Sequence, residues 1–175
     1  QRQTIYVEPV WKKKEASVCA FTEFIDGWID ADDIERICKL HPEITAVVVT
    51  SPTYEGVISD IAGIARAAHA HHVRVIVDEA HGAHLPFLKP EYSAIRMGAD
   101  VVVQSLHKTL PAMTQTAVIH VCTEELVKPV EQALEVFLSS SPSYIFMLNM
   151  ESAICYMADH AFTDYENNLH NFIDN

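Results

Sequence analysis

The chain has 175 residues, enough for one domain with a substantial core, and its 49% apolar and 21% charged composition is that of an ordinary globular protein. A net charge of −12 argues against nonspecific binding to nucleic acid or to anionic membrane, which needs basic patches. No apolar run reaches the roughly 18 residues of a membrane span, and the four cysteines (Cys19, Cys38, Cys122, Cys155) form no C-x-x-C pair, so they read as reduced thiols in a cytoplasmic protein.

The opening residues, Gln1-Arg2-Gln3-Thr4-Ile5, are neither a signal peptide nor an initiator methionine, and the chain is expected to be part of something longer. Thr4 to Val10 reads as a short strand, followed by Trp11 and the solvated run Lys12-Lys13-Lys14. Asp30 can cap a helix through Ile34, Ile37 and Leu40, which Pro42 stops. Thr45 to Thr50 is a β-branched buried strand, and the turn Ser51–Gly56 follows. A helix is predicted from Asp60 to His72, with Ile61, Ile64, Ala65 and Ala68 on one face.

Val73 to Asp78 is the next strand, and residues 79–92 read as a loop. Ser93 to Met97 is a helical turn closed by Gly98. Val101 to Gln104 is another buried strand, leading into a loop that carries Lys108. Thr116 to Cys122 is a further strand, and Thr123 caps a helix from Glu124 to Leu138. Residues 142–175 read as helical, with Tyr144, Met147, Met150 and Ile154 as a partial apolar stripe. Continuous apolar strands alternating with helices predict an α/β fold: a mostly parallel sheet in a three-layer α-β-α sandwich, helices on both faces. Ligands in such sheets sit at the carboxyl ends of strands. Three chemically distinctive segments fall there: Thr50–Tyr54, Asp78–His81 and Ser105–Lys108.

The pair Asp78 and Lys108 is the most informative. An acid at one buried strand end and a lysine just past the next, 30 residues on, fit one βα-type unit that brings both to neighbouring strand ends. A lysine placed against a core strand needs a partner. Pyridoxal 5'-phosphate (PLP) needs this combination: an amine to form an imine with its aldehyde, and an acid to pair with its protonated ring nitrogen, which keeps the ring electron-poor. Ser105 and His107 flank the lysine, where a hydroxyl and an imidazole can hold a phosphate. His81, three residues past the acid, can touch the cofactor ring. His84 follows in the same loop, and Glu79 either orients a neighbour or faces solvent. His69, His71 and His72 lie at a helix end without a completing acid–cysteine constellation, so no metal site is expected. The chain has no G-x-S-x-G, G-x-G-x-x-G or Walker A pattern.

Four segments in order, Ser51-Pro52-Thr53-Tyr54-Glu55-Gly56, Val77-Asp78-Glu79-Ala80-His81-Gly82-Ala83-His84, Met97-Gly98-Ala99-Asp100 and Gln104-Ser105-Leu106-His107-Lys108-Thr109-Leu110-Pro111-Ala112, resemble the bacterial Orn/Lys/Arg decarboxylase family. The similarity covers roughly residues 1–150 and is most specific around 50–117. The resemblance implies a fold type I, aspartate-aminotransferase-like large domain, with Lys108 as the Schiff-base lysine and Asp78 as the pyridinium partner. It also implies Ser105 and His107 near the phosphate and His81 near the ring. The implied reaction converts ornithine, lysine or arginine to the corresponding amine and CO₂, for polyamine synthesis or acid response. Family members are longer and are dimers or higher, so residues 1–175 are expected to be the central part of the large domain, and the isolated piece to bind PLP poorly. The lysine–aspartate pair alone also fits an aminotransferase, a carbon–sulfur lyase, or a non-catalytic module that keeps the fold.

Overall fold

The computed structural model describes residues 10–12 and 26–173, with side chains described for 27–160. Residues 4–9 of the expected first strand, Lys13, Lys14 and Cys19 lie outside the described residues. A short antiparallel pair, β1 (Val10–Lys12) and β2 (Asp26–Trp28), precedes the main unit. Helix α1 (Ala31–Leu40) begins where the Asp30 carboxylate accepts the Asp32 N–H, and it buries Ile34, Ile37 and Cys38 at i, i+3, i+4 spacing. The four-stranded sheet has the order β3 (Ala46–Thr50), β4 (Arg74–Asp78), β5 (Val101–Ser105), β6 (Ala117–Val121). The β3–β4 and β4–β5 pairs are parallel and β5–β6 is antiparallel, so the sheet is mostly parallel, as predicted.

Helix α2 (Ile61–His69) joins β3 to β4 and ends three residues before the expected His72. The His71 and His72 N–H groups turn back to Ala68 and His69 carbonyls, and His72 takes a left-handed φ of 59°, which reverses the chain into β4. Val47, Val49, Val75, Val77 and Val102 share one face by strand register, and they form a core with Ile34, Cys38, Ile61, Ile64, Ala65 and Ala68 from α1 and α2. The opposite face carries Val48, 71% exposed, and Ile119, 37% exposed. Among the described residues that face is therefore less fully covered than the expected second helical layer would make it.

Residues 79–92 are not simply a loop. They include α3 (Leu85–Leu88), with Pro86 in its first turn, and a 3-10 turn at Pro90–Tyr92. Lys108 likewise sits in a short helix, α4 (Leu106–Thr109), rather than a loop. After β6, a 3-10 turn at Glu124–Leu126 leads into α5 (Val127–Phe137), and α6 spans Tyr144–Ile173. The expected stripe on α6 is displaced. Tyr144 is 81% exposed, whereas Ala153 and Met157 are buried, and Met157 clusters with Ala83, Leu106 and Leu110 while Met150 packs against them.

Thr123 does not cap a helix. Its hydroxyl donates to Asp100 at 2.7 Å. Buried Asp100 also accepts the Val75 N–H at 2.8 Å, Arg74 Nη1 at 3.1 Å and His69 Nε2 at 2.8 Å. One carboxylate thus joins α2, β4 and the segment after β6 at the amino end of β5. Burial pushes its pKa up, but these donors outweigh burial and bring it down to about 2. A depressed acid stabilises the fold above its unfolded value of 3.8, and that contribution fades as pH falls towards 2. Asp100→Asn is expected to lose about 2 kcal/mol near pH 7. Urea unfolding at several pH values should show this gap closing as pH falls from about 5 to 2.

Candidate active site

β4 ends in two acids with opposite surroundings. Side chains alternate along a strand, so Asp78 and Glu79 point to opposite faces. Asp78 lies on the open face, in register with Thr50 of β3 and Val103 of β5. Its Oδ1 accepts the Ala80 N–H at 3.1 Å, and its carbonyl accepts the Ser51 N–H at 3.0 Å, which fixes the residue from both sides. Glu79 is 1% exposed on the helix-covered face, so the solvent-facing alternative is excluded. It accepts the Ala94 N–H at 2.7 Å, Gln104 Nε2 at 2.5 Å and Ser93 Oγ at 3.4 Å. Burial pushes its pKa up, and these three donors hold it back.

β5 delivers the second half. Ser105 is its last residue, half-buried, and α4 begins at the next position. Buried Leu106 anchors α4, leaving Lys108 exposed. Lys108 makes no hydrogen bond or ion pair among the described residues. His107 Nδ1–H donates to the Thr116 carbonyl at 3.0 Å, which also accepts the Leu106 N–H. That bond fixes the tautomer and leaves Nε2 as the acceptor of the neutral ring.

His81 meets Tyr54, from the turn after β3, edge to face, with ring centroids 5.4 Å apart and planes at 89°. Its buried Nδ1 has no partner among the described residues, and neither does that of His84. Burial lowers the His84 pKa and so favours its neutral form.

The fold thus brings Asp78 and Ser105 to the carboxyl ends of adjacent parallel strands, with Lys108 one helical turn beyond and His81 in the turn just after Asp78. His107 is tied towards β6 rather than left free. Of the helix-end histidines, His69 joins Asp100 and His71 approaches Glu35 at 3.3 Å. No group of three or more His, Cys, Asp or Glu among the described residues is arranged to hold a metal. Tyr54, Gln104 and His120 were not singled out from sequence. Strand register was the available signal for the last two, since Gln104 and His120 share the face of Glu79.

A family profile described as "Orn/Lys/Arg decarboxylase, major domain" matches residues 4–172. The chain belongs to the Orn/Lys/Arg decarboxylase family. The Bacillus subtilis (strain 168) protein YaaO, described as uncharacterized, is 41% identical over 127 residues, a match that covers 71% of this chain and 26% of YaaO. Arginine decarboxylase from the same strain is 34% identical over 132 residues, covering 74% of this chain and 27% of that enzyme. The chain thus spans about a quarter of the length of these relatives. Among solved structures, cystathione gamma lyase (CalE6) from Micromonospora echinospora superposes with a TM-score of 0.58 at 19% identity, over 71% of this chain and 32% of CalE6. Mouse CSAD gives 0.54 at 21% identity, over 71% of this chain and 27% of its own. These likenesses establish the α/β fold.

The turn that carries His81 leaves no room to spare. A Cβ on Gly82 would stand 2.5 Å from Glu79 Cγ and 2.8 Å from Pro52 Cδ. Gly56, with φ +86°, has no atom within 4 Å of such a Cβ. Gly82→Ala is therefore expected to cost about 1–3 kcal/mol from overpacking. Gly56→Ala should cost about 1–2 kcal/mol from backbone strain alone. Thermal melting of both variants checks this, and the His81 ring resonances should shift more in Gly82→Ala than in Gly56→Ala.

Proposed function

We propose that this chain is the central part of the large domain of a PLP-dependent decarboxylase acting on a basic amino acid. The observation that carries the proposal is the juxtaposition of an anchored carboxylate, Asp78, and an uncommitted amine, Lys108, at the ends of neighbouring strands in a chain of this family. The orphaned Nδ1 of His81 beside them fits a group still to be bound there. Arginine is the substrate to test first, because relatives at 32–34% identity over 74–77% of this chain are arginine decarboxylases.

PLP, when bound, supplies the electron sink that accepts the bonding pair as the α-carboxylate departs. The residues of this chain do the rest. Lys108 would hold the cofactor aldehyde through its uncommitted amine. Asp78, held by the Ala80 N–H, keeps a proton on the ring nitrogen. Ser105 can donate its hydroxyl to the phosphate. His107 adds to that from Nε2 only as an imidazolium, because Nδ1–H is committed to Thr116. His81, with its unpartnered Nδ1, would face the ring.

The amine product and the acidic, thiol-bearing surface are consistent with a cytoplasmic role in polyamine synthesis or acid response. Val136, Phe137, Leu138, Tyr144, Ile145 and Leu148 are 63–83% exposed, which supports assembly into a homodimer or higher oligomer. No helix among the described residues is long and apolar enough to cross a membrane.

The test is absorbance titration with PLP, then borohydride reduction and peptide mapping, on this chain and on the longer parent protein. A pyridoxyl adduct on Lys108 is expected, and Lys108→Ala should abolish it. In the parent protein, release of CO₂ and amine from arginine should fall by about three orders of magnitude or more in Lys108→Ala. A keto acid product, or an adduct on another lysine, would contradict the proposal.

A further inference from the structure

Glu79 has no part in the chemistry above, yet its carboxylate is buried and forms no ion pair among the described residues. Its neighbours form a hydrogen-bond relay across the sheet. Gln104 Nε2 donates to Glu79 at 2.5 Å, and Gln104 Oε1 lies 3.0 Å from His120 Nε2. With Gln104 oriented by the carboxylate, His120 must donate from Nε2. Burial lowers the pKa of His120, which favours the neutral ring, and the bond to Gln104 sets its tautomer. Three strands, β4, β5 and β6, are thereby joined on the helix-covered face.

The position of this relay matters more than its existence. Glu79 comes one residue after Asp78, and Gln104 one residue before Ser105. The Glu79 N–H also donates to the Val103 carbonyl at 2.8 Å, extending the β4–β5 ladder. The Glu79 side chain also accepts from Ala94, fifteen residues on, and so closes the segment that contains His81 and His84. That segment folds directly over it, as the missing space at Gly82 shows.

We propose that Glu79 is a positioning residue of the decarboxylase site, clamping the ends of β4 and β5 and both ends of the His81 segment so that Asp78, His81 and Lys108 keep one mutual arrangement. This rests on the functional reading above.

The hydrogen-bond polarity provides a specific test. In Glu79→Gln, the amide oxygen can still accept from Ala94, but its NH₂ then meets the Gln104 NH₂, and relief requires Gln104 to turn over and His120 to change tautomer. The reciprocal swap, Glu79→Gln with Gln104→Glu, restores the bonds to Ala94, across the 79–104 pair and to His120, because the carboxylate now at position 104 accepts both from the amide at position 79 and from His120, while the Ser93 hydroxyl turns to accept from the second amide hydrogen. In the full-length protein loaded with PLP, the single variant should keep the Lys108 adduct and a near-normal KM while kcat falls on the order of 10²-fold. In the protein without PLP, amide exchange around Ala94 should accelerate about tenfold or more. The reciprocal swap should return both readouts to within about fivefold of wild type. If the single variant does not fold, a swap that folds and turns over supports the proposal equally. Wild-type kcat and exchange in the single variant, or a swap no better than it, would overturn the role of Glu79 alone. Failure of the wild-type protein to form the Lys108 adduct would instead overturn the functional reading, and with it any catalytic meaning of the clamp.

Discussion

Three parallel pairings, Ile76 with Val101, Val77 with Val102 and Asp78 with Val103, hold β4 beside β5, and the Glu79 N–H continues the ladder to Val103. Every feature of the candidate site depends on that register. A slip of one residue would turn Asp78 onto the helix-covered face and Glu79 onto the open one. The cost of such a slip is high. It would force Val75 and Val77, both fully buried, out of the core with α1 and α2. The aliphatic core therefore sets which acid faces the site.

The two faces of the sheet divide the work. On the covered face, polar groups are buried and partnered: Glu79 by three donors, and Gln104 between Glu79 and His120. Such groups are costly to bury unless fully bonded, and once bonded they fix geometry. On the open face, groups keep unused capacity: the Lys108 amine, a carboxylate oxygen of Asp78 and the Ser105 hydroxyl. At the opposite end of the strands Asp100 ties down α2 and β4, so the sheet is held at both ends.

Much of this was legible in the sequence because it follows from simple periodicities. Val-Val-Val and Val-Ile-Val runs with intervening helices specify a buried parallel sheet, and Asp30 marked the start of α1. Asp78 and Lys108 stood out because charged groups seldom end core strands without a use. What escaped was set by tertiary context. Leu85–Leu88 carries a proline and is too short for a helical period to register. Thr123 looks like a helix cap but turns to Asp100, a partner 23 residues away in sequence. On α6 the exposed Tyr144 and Met147 are as apolar as the buried Met157, so composition alone did not choose the packed face. Glu79 was readable in principle, since alternation after Asp78 sends it to the covered face. Its three donors come from Ser93, Ala94 and Gln104, which only the fold brings together.

If Lys108 holds PLP and Asp78 pairs with its ring nitrogen, as proposed, the pairing must show in the protonation of that nitrogen. Nitrogen-15 NMR of the full-length protein loaded with PLP labelled at the ring nitrogen tests it most directly. A protonated ring nitrogen is expected well above the pH at which free PLP loses that proton, and a deprotonated one in Asp78→Asn. A ring nitrogen that titrates like free PLP in the wild-type protein, or one unchanged in Asp78→Asn, would contradict the account.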